Sequence, residues 1–193
     1  MSGYYTGYKT IGNLLTPSVR LWNNGFPIKC DTYHSCSNAC TYCFANIMQR
    51  YISERAGIRY NRHLCRYCSA ADIGSVLRSN TYESWALRGR YYVEMGTVGE
   101  CFQEEDRKLR VTESAMKYFS SLKVPLVINT KANLIISDDR YFNLIASHKA
   151  PIIFNVTIIT LDKSIAKKME PFAPPPQDRL DLIGRLREIG IPT

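Results

Sequence analysis

The chain has 193 residues, of which 45% are hydrophobic and 22% charged, the balance of a folded globular domain with a real core rather than a disordered segment. Lysine and arginine number 25 against 17 acidic residues, for a net charge of +8, which favours anionic partners. Seven cysteines are an odd count and the chain is large for a disulfide-stapled fold, so a paired framework is excluded as the basis of folding. Apolar runs such as Pro125–Ile128 and Pro151–Phe154 are too short to span a membrane. The tyrosine- and glycine-rich start lacks the pattern of a signal peptide. These features predict a reduced, cytoplasmic setting with no membrane partner, in which the cysteines need a chemical reason.

In chain order, Gly25–Thr32 predicts a strand feeding a loop over Tyr33–Cys43, and Phe44–Arg55 predicts a helix. The basic, cysteine-containing stretch from 57 to 88 fits no simple unit and reads as an insertion within one domain spanning 1–193. Arg90–Met95, closing on Gly96, is a short β-prone run. Ala115, Met116, Phe119 and Leu122 recur at helical spacing over Thr112–Leu122, with Thr112 as the expected N-cap. Val124–Thr130 predicts a strand buried on both faces. Ser137 is then the expected cap of a helix whose inner face is Tyr141, Leu144, Ile145 and His148, with Asp138 and Asp139 in its first turn. Pro151–Thr160 predicts a further strand. A last helix places Leu182, Ile183, Leu186 and Ile189 on one side, after Pro174–Pro176 and before Gly190. Strand–helix units every thirty-odd residues predict an α/β fold with a parallel sheet.

Cys36-Ser-Asn-Ala-Cys40-Thr-Tyr-Cys43 carries the chemistry. Three thiolates within eight residues wrap one face of an iron–sulfur cubane, leaving one of its four irons without a protein ligand. Two other readings stand beside this one: inert buried cysteines, and a structural zinc site, which more often uses two separated pairs. His63-Leu-Cys65-Arg-Tyr-Cys68 has half the spacing of a second metal site. With Cys30 it would hold zinc or a second Fe–S cluster; the alternative is structural or surface thiols. His34 reads as a hydrogen-bonding or shielding group beside the loop, and His148 as packing.

The spacing Cys36-x3-Cys40-x2-Cys43, with Tyr42 before the third cysteine and Phe44 after it, resembles the signature of the radical S-adenosylmethionine (radical SAM) superfamily. Glu94-Met-Gly-Thr-Val-Gly-Glu100, Asn129-Thr-Lys131, Asn155–Asp162, Met169-Glu-Pro171 and Arg179-Leu180 extend the likeness to the subgroup similar to spore photoproduct lyase, a DNA repair enzyme. The resemblance implies a [4Fe–4S] cluster on Cys36, Cys40 and Cys43 whose open iron binds S-adenosylmethionine. The reduced cluster would cleave it to methionine and a 5′-deoxyadenosyl radical that abstracts a substrate hydrogen.

By position, Glu100, Lys131 and Thr157 are the implied S-adenosylmethionine contacts. Their duller readings are a member of a surface charge run, a surface lysine and a strand former. Where the subgroup has Asp-Pro-Tyr-Gln, this chain has Glu100-Cys-Phe-Gln103. A hydrogen-donating cysteine lies near this strand end in spore photoproduct lyase. Cys101 stands a few positions later, and its alternative is a buried thiol. The likeness further implies a reductant such as flavodoxin or ferredoxin and a β/α barrel, here partial and open. Four units are counted, and Ile191–Thr193 begins a fifth strand, so that a partner chain completing the barrel is one expectation. The cations and tyrosines of 50–90 suit a nucleic acid, though equally an acidic protein or an anionic cofactor. The competing class is a non-catalytic Fe–S, zinc or nucleic-acid-binding module that keeps the loop.

Overall fold

The computed structural model describes residues 15–17, 28–33, 36–55, 57 and 91–193. The elements are β1 (Leu15–Pro17), β2 (Ile28–Cys30), α1 (Phe44–Arg55), β3 (Val93–Met95), α2 (Asp106–Leu109), α3 (Val111–Ser121), β4 (Leu126–Thr130), α4 (Leu134–Ser137), α5 (Asp139–Ala146), β5 (Ile152–Val156), α6 (Lys163–Met169) and α7 (Pro176–Glu188). One sheet runs in the order β1-β2-β3-β4-β5. Strands β2 to β5 are parallel, with Ile28 opposite Val93, Val93 opposite Leu126 and Leu126 opposite Ile152. Among the described residues each is followed by one or two helices, which gives four β/α units. The antiparallel partner β1 was not foreseen in the tyrosine- and glycine-rich start of the chain.

Strand alternation explains the core. Ile28, Cys30, Val93, Met95, Leu126, Ile128, Ile152 and Phe154 lie on the helix-covered face. They are joined there by Met116 and Phe119 of α3, Tyr141 and Ile145 of α5, and Leu182 and Leu186 of α7. Each such large side chain contributes roughly 1.5–3 kcal/mol of burial. The opposite face carries polar groups. Glu94 accepts a hydrogen bond from Asn129 (2.9 Å), and Asn129 accepts one from Asn155 (3.0 Å). The segment after α7 returns beside β5, where the Phe154 N–H donates to Pro192 O at 2.9 Å, so the outer edge of that strand is engaged at this point.

Two expected helix caps are displaced by one or two residues. Thr112 lies inside α3, which starts at Val111 after Arg110 in the left-handed region (φ 57°). The Asp106 carboxylate, from the preceding helix, accepts from the Thr112 N–H at 2.9 Å, and the Thr112 hydroxyl donates to Cys101 O at 2.5 Å with the Thr32 hydroxyl 2.8 Å away. Ser137 ends α4 instead of opening α5. Asp138, in extended backbone, caps α5 by accepting from Arg140 N at 3.1 Å. A carboxylate is the better cap here because Arg107 and Arg140 flank it, and they hold it down to about 2. His148 packs as expected, with Nε2 3.1 Å from Val124 O, and burial lowers its pKa.

Glu113 on α3 is chelated by Arg110 (2.7 Å) and Lys117 (2.5 Å), which hold it down to about 2. Its folded pKa lies below the unfolded value, so the stability it contributes is present above about pH 4.5 and lost as the pH falls towards 2. Both cations are half exposed, so Glu113→Gln is expected to remove only about 1 kcal/mol at pH 7. In urea titrations at pH 7 and pH 3, the difference between wild type and variant should shrink at the lower pH.

Candidate active site at the strand ends

Cys36, Cys40 and Cys43 lie on the connection from β2 to α1 and line a single recess with Gly96–Glu100, Thr130, Lys131 and Thr157. Its volume of about 150 Å³ compares with the roughly 10–15 Å³ that one water needs, so it is ligand-sized. It lies at the carboxyl ends of the parallel strands, where successive loops converge.

The loop is held by its neighbours at every turn. Ala39 takes the left-handed region (φ 47°), which folds the chain back between the first two cysteines. The Ser37 N–H donates to Gln103 Oε1 (3.2 Å), Asn46 Nδ2 donates to Cys40 O (3.1 Å), and the Thr41 N–H donates to Met169 O (2.9 Å). Burial, then the Glu100 carboxylate, push the Cys36 thiol up to about 12. Cys40 is raised by burial and opposed by Lys131. A metal at either sulfur must therefore displace a proton.

The opposite wall is built from β3 and β4. Asp31, just beyond β2, accepts from Thr97 N (2.9 Å), Thr97 Oγ1 (2.6 Å) and Val98 N (3.1 Å), fixing the turn after β3. Glu100, 5% exposed, accepts from Phe102 N (3.0 Å), Thr130 Oγ1 (2.7 Å) and Lys131 N (2.8 Å). Burial raises its pKa against those three donors. Glu100 thus braces the β3 loop to the end of β4 and is no part of an exposed charge run.

Gly96 has φ +75°, and a Cβ there would stand 2.2 Å from Asn129 O. Gly96→Ala is expected to destabilise the chain by more than the ~1–2 kcal/mol of the left-handed conformation alone, because a backbone carbonyl cannot step aside. Calorimetry should show this loss.

A buried charge cluster closes the recess on the α6 side. Glu170 pairs with Arg179 (2.5 Å) and stands 3.8 Å from Lys131 Nζ. It also accepts the Tyr42 hydroxyl. Lys131 Nζ lies 5.8 Å from the Tyr42 ring centre. Arg179 donates to Thr157 O (2.8 Å) and Pro174 O (2.7 Å). Asp31, Glu170 and Arg179 were not assigned roles from the sequence. Met169-Glu-Pro171 and Arg179 did carry part of the family likeness, which was the available signal.

Cys101 does not line the recess. It sits in the core at 1% exposure, with its thiol raised well above the ordinary value by burial and its sulfur 3.5 Å from where a Cβ at Gly96 would stand, the environment of the buried-thiol alternative. Cys30 is likewise buried in the core at 0%. Its expected metal partners Cys65 and Cys68 lie outside the described residues, as do His34, His63, the 58–88 part of the expected insertion and most of the basic, tyrosine-rich stretch. None of the five described cysteines is in a disulfide. Among the described residues no group of three His, Cys, Asp or Glu side chains stands gathered to hold a metal ion, and no helix is long and apolar enough to cross a membrane. The donor set of the recess, three soft thiolates facing one ligand-sized space, fits a multi-iron cluster in chemistry.

Fold and recess together define an α/β protein with a four-stranded parallel sheet and a cysteine-lined recess at its strand ends. Spore photoproduct lyase complexed with dinucleoside spore photoproduct has this fold: TM-score 0.63, 14% identity, over 97% of this chain and 48% of that one. A variant of spore photoproduct lyase with bound AdoMet and dinucleoside spore photoproduct gives 0.62 at 13% identity, over 96% and 48%. No protein-family model matches the chain.

Curated relatives are uncharacterized proteins. One of Acidianus two-tailed virus is 26% identical over 159 residues (81% of this chain, 50% of its own length), and one of Mycobacterium tuberculosis is 27% identical over 162 (82% and 45%). One of Methanocaldococcus jannaschii is 25% identical over 164 residues (82% and 54%). The chain spans about half the length of the proteins it matches.

Proposed function

We propose that this chain is a radical SAM enzyme that holds a [4Fe–4S] cluster on Cys36, Cys40 and Cys43, binds S-adenosylmethionine and acts on a nucleic-acid substrate. The observation that carries this reading is the convergence of the three cysteines with the Gly96–Glu100 turn, Lys131 and Thr157 on one recess. When bound and reduced, the cluster supplies the electron that cleaves S-adenosylmethionine to methionine and a 5′-deoxyadenosyl radical.

The chain's own residues do the rest. The loop keeps three thiolates on one side of the recess and leaves the other side to the ligand. Gly96, lacking a Cβ, lets the turn after β3 pack against the Asn129 carbonyl and so fixes that wall of the recess. Glu100 holds the β3 and β4 loops at a fixed separation, and Lys131 places a cation at the recess for a carboxylate. The net charge of +8 and the dinucleoside ligand of the structures sharing this fold support a nucleic-acid substrate.

Anaerobic reconstitution with iron and sulfide, followed by dithionite and S-adenosylmethionine, tests the reading. Formation of 5′-deoxyadenosine is the expected result. A chain that takes up iron but yields none is a binding module. Retention on single-stranded DNA should weaken steeply between 50 and 200 mM salt, by roughly 10²–10⁴-fold if six to ten phosphates are contacted. Salt-insensitive or absent retention removes nucleic acid from the proposal.

A further inference from the structure

The cluster loop and Glu170 are 128 residues apart and meet through two separate contacts. The Thr41 N–H and hydroxyl both reach Met169 O, and the Tyr42 hydroxyl donates to Glu170 Oε1. Both anchored residues lie between the second and third cysteines. The same carboxylate stands beside Lys131 and is paired on its other oxygen with Arg179, which in turn holds Thr157 O. Glu170 and Arg179 are 2% and 1% exposed. A buried ion pair is a poor stabiliser compared with apolar packing of the same volume, so stability is a weak reason for the fold to keep one here. Its placement fits a second reason: one rigid anion touches the loop, the cation and, through Arg179, the far wall.

We infer that Glu170 is a positioning residue that locks the cluster loop against Lys131, and that its buried charge lowers the reduction potential of the iron centre held by the three cysteines. The second half rests on the function proposed above; the first does not. The charge argument is direct, since adding an electron beside a buried anion is disfavoured and net charge is among the quantities that set cluster potentials.

The two halves separate experimentally. In the metal-free chain, site-resolved alkylation of Cys40 and Cys43 by iodoacetamide reads how firmly the loop is held. Tyr42→Phe, at a side chain 43% exposed, removes only the hydroxyl anchor and is expected to speed alkylation at least threefold. Glu170→Gln keeps an acceptor for Tyr42, so its alkylation should stay near the wild-type rate. In the reconstituted chain, Glu170→Gln should raise the midpoint potential, while Tyr42→Phe, which leaves the charge in place, should not.

If Glu170→Gln does not fold because Arg179 is left unpaired, the double variant Glu170→Gln/Arg179→Met carries the test, with a smaller shift of the same sign. A wild-type alkylation rate in Tyr42→Phe overturns the lock, and an unmoved potential in the folded Gln variant overturns the charge effect. Wild-type protein that takes up no iron overturns the proposed function instead, and leaves the alkylation result standing.

Discussion

Replacing Cys36, Cys40 or Cys43 by alanine, one at a time, is expected to reduce iron and acid-labile sulfide after anaerobic reconstitution to near background. S-adenosylmethionine cleavage should fall with them, by more than the roughly 10–100-fold that losing an outer-sphere partner of a metal site costs. The three side chains share one recess, and no fourth cysteine among the described residues lines it, so no spare thiolate is at hand there. Cys101→Ala is the internal control. Its sulfur is buried in the core behind the Gly96 wall and does not line the recess, so iron content should hold while stability drops modestly, as for other small core truncations. Iron retained in Cys36→Ala would remove that residue from the ligand set. Iron lost in Cys101→Ala, with the fold intact, would restore a role there.

Arg179→Ala should produce the largest loss of stability of any single change outside the core. It strips the partner from a Glu170 side chain that is fully buried, and it frees Thr157 O and Pro174 O at once. Breaking such a pair from one side costs about 3–5 kcal/mol, a large part of a typical domain's total stability. Glu170→Gln/Arg179→Met, which removes both charges and keeps the volume, should recover much of the loss. Chemical denaturation of the three proteins measures the difference. A single variant as stable as the double one would overturn the Glu170–Arg179 pair as a buried, mutually dependent contact.

The parts readable from the chain were those encoded over short stretches. Cysteine spacing of three and two residues lies within a single loop. Helix periodicity needs four or five turns at most, and α1 begins and ends at the residues predicted for it, Phe44 and Arg55. The parallel order also followed from local pattern, because strands alternating with helices leave few other connections. Strand lengths were less legible. Arg90–Met95 contracts to Val93–Met95, and Pro151–Thr160 to Ile152–Val156, since β-propensity continues past the last residue that finds a neighbouring strand.

Helix caps failed for a related reason. Thr112 and Ser137 have the right chemistry, yet Asp106 and Asp138 hold the cap-accepting positions once neighbouring helices are in place. Glu100 shows the same limit at the recess. Its place after Glu94–Gly99 singled it out through the family likeness, but its bracing of the two loops comes from Thr130 and Lys131, some thirty residues away.

The opening count of seven cysteines therefore divides along that line. That three of them form one loop of soft ligands is a local property of the chain, fixed by spacing alone. That they face Lys131, that Cys101 turns into the core, and that Glu170 and Arg179 stand behind the loop are consequences of long-range packing. Burial decides which thiol can meet a ligand. It also decides which carboxylate must find a cation, and neither is expressed until strands distant in the chain are brought side by side.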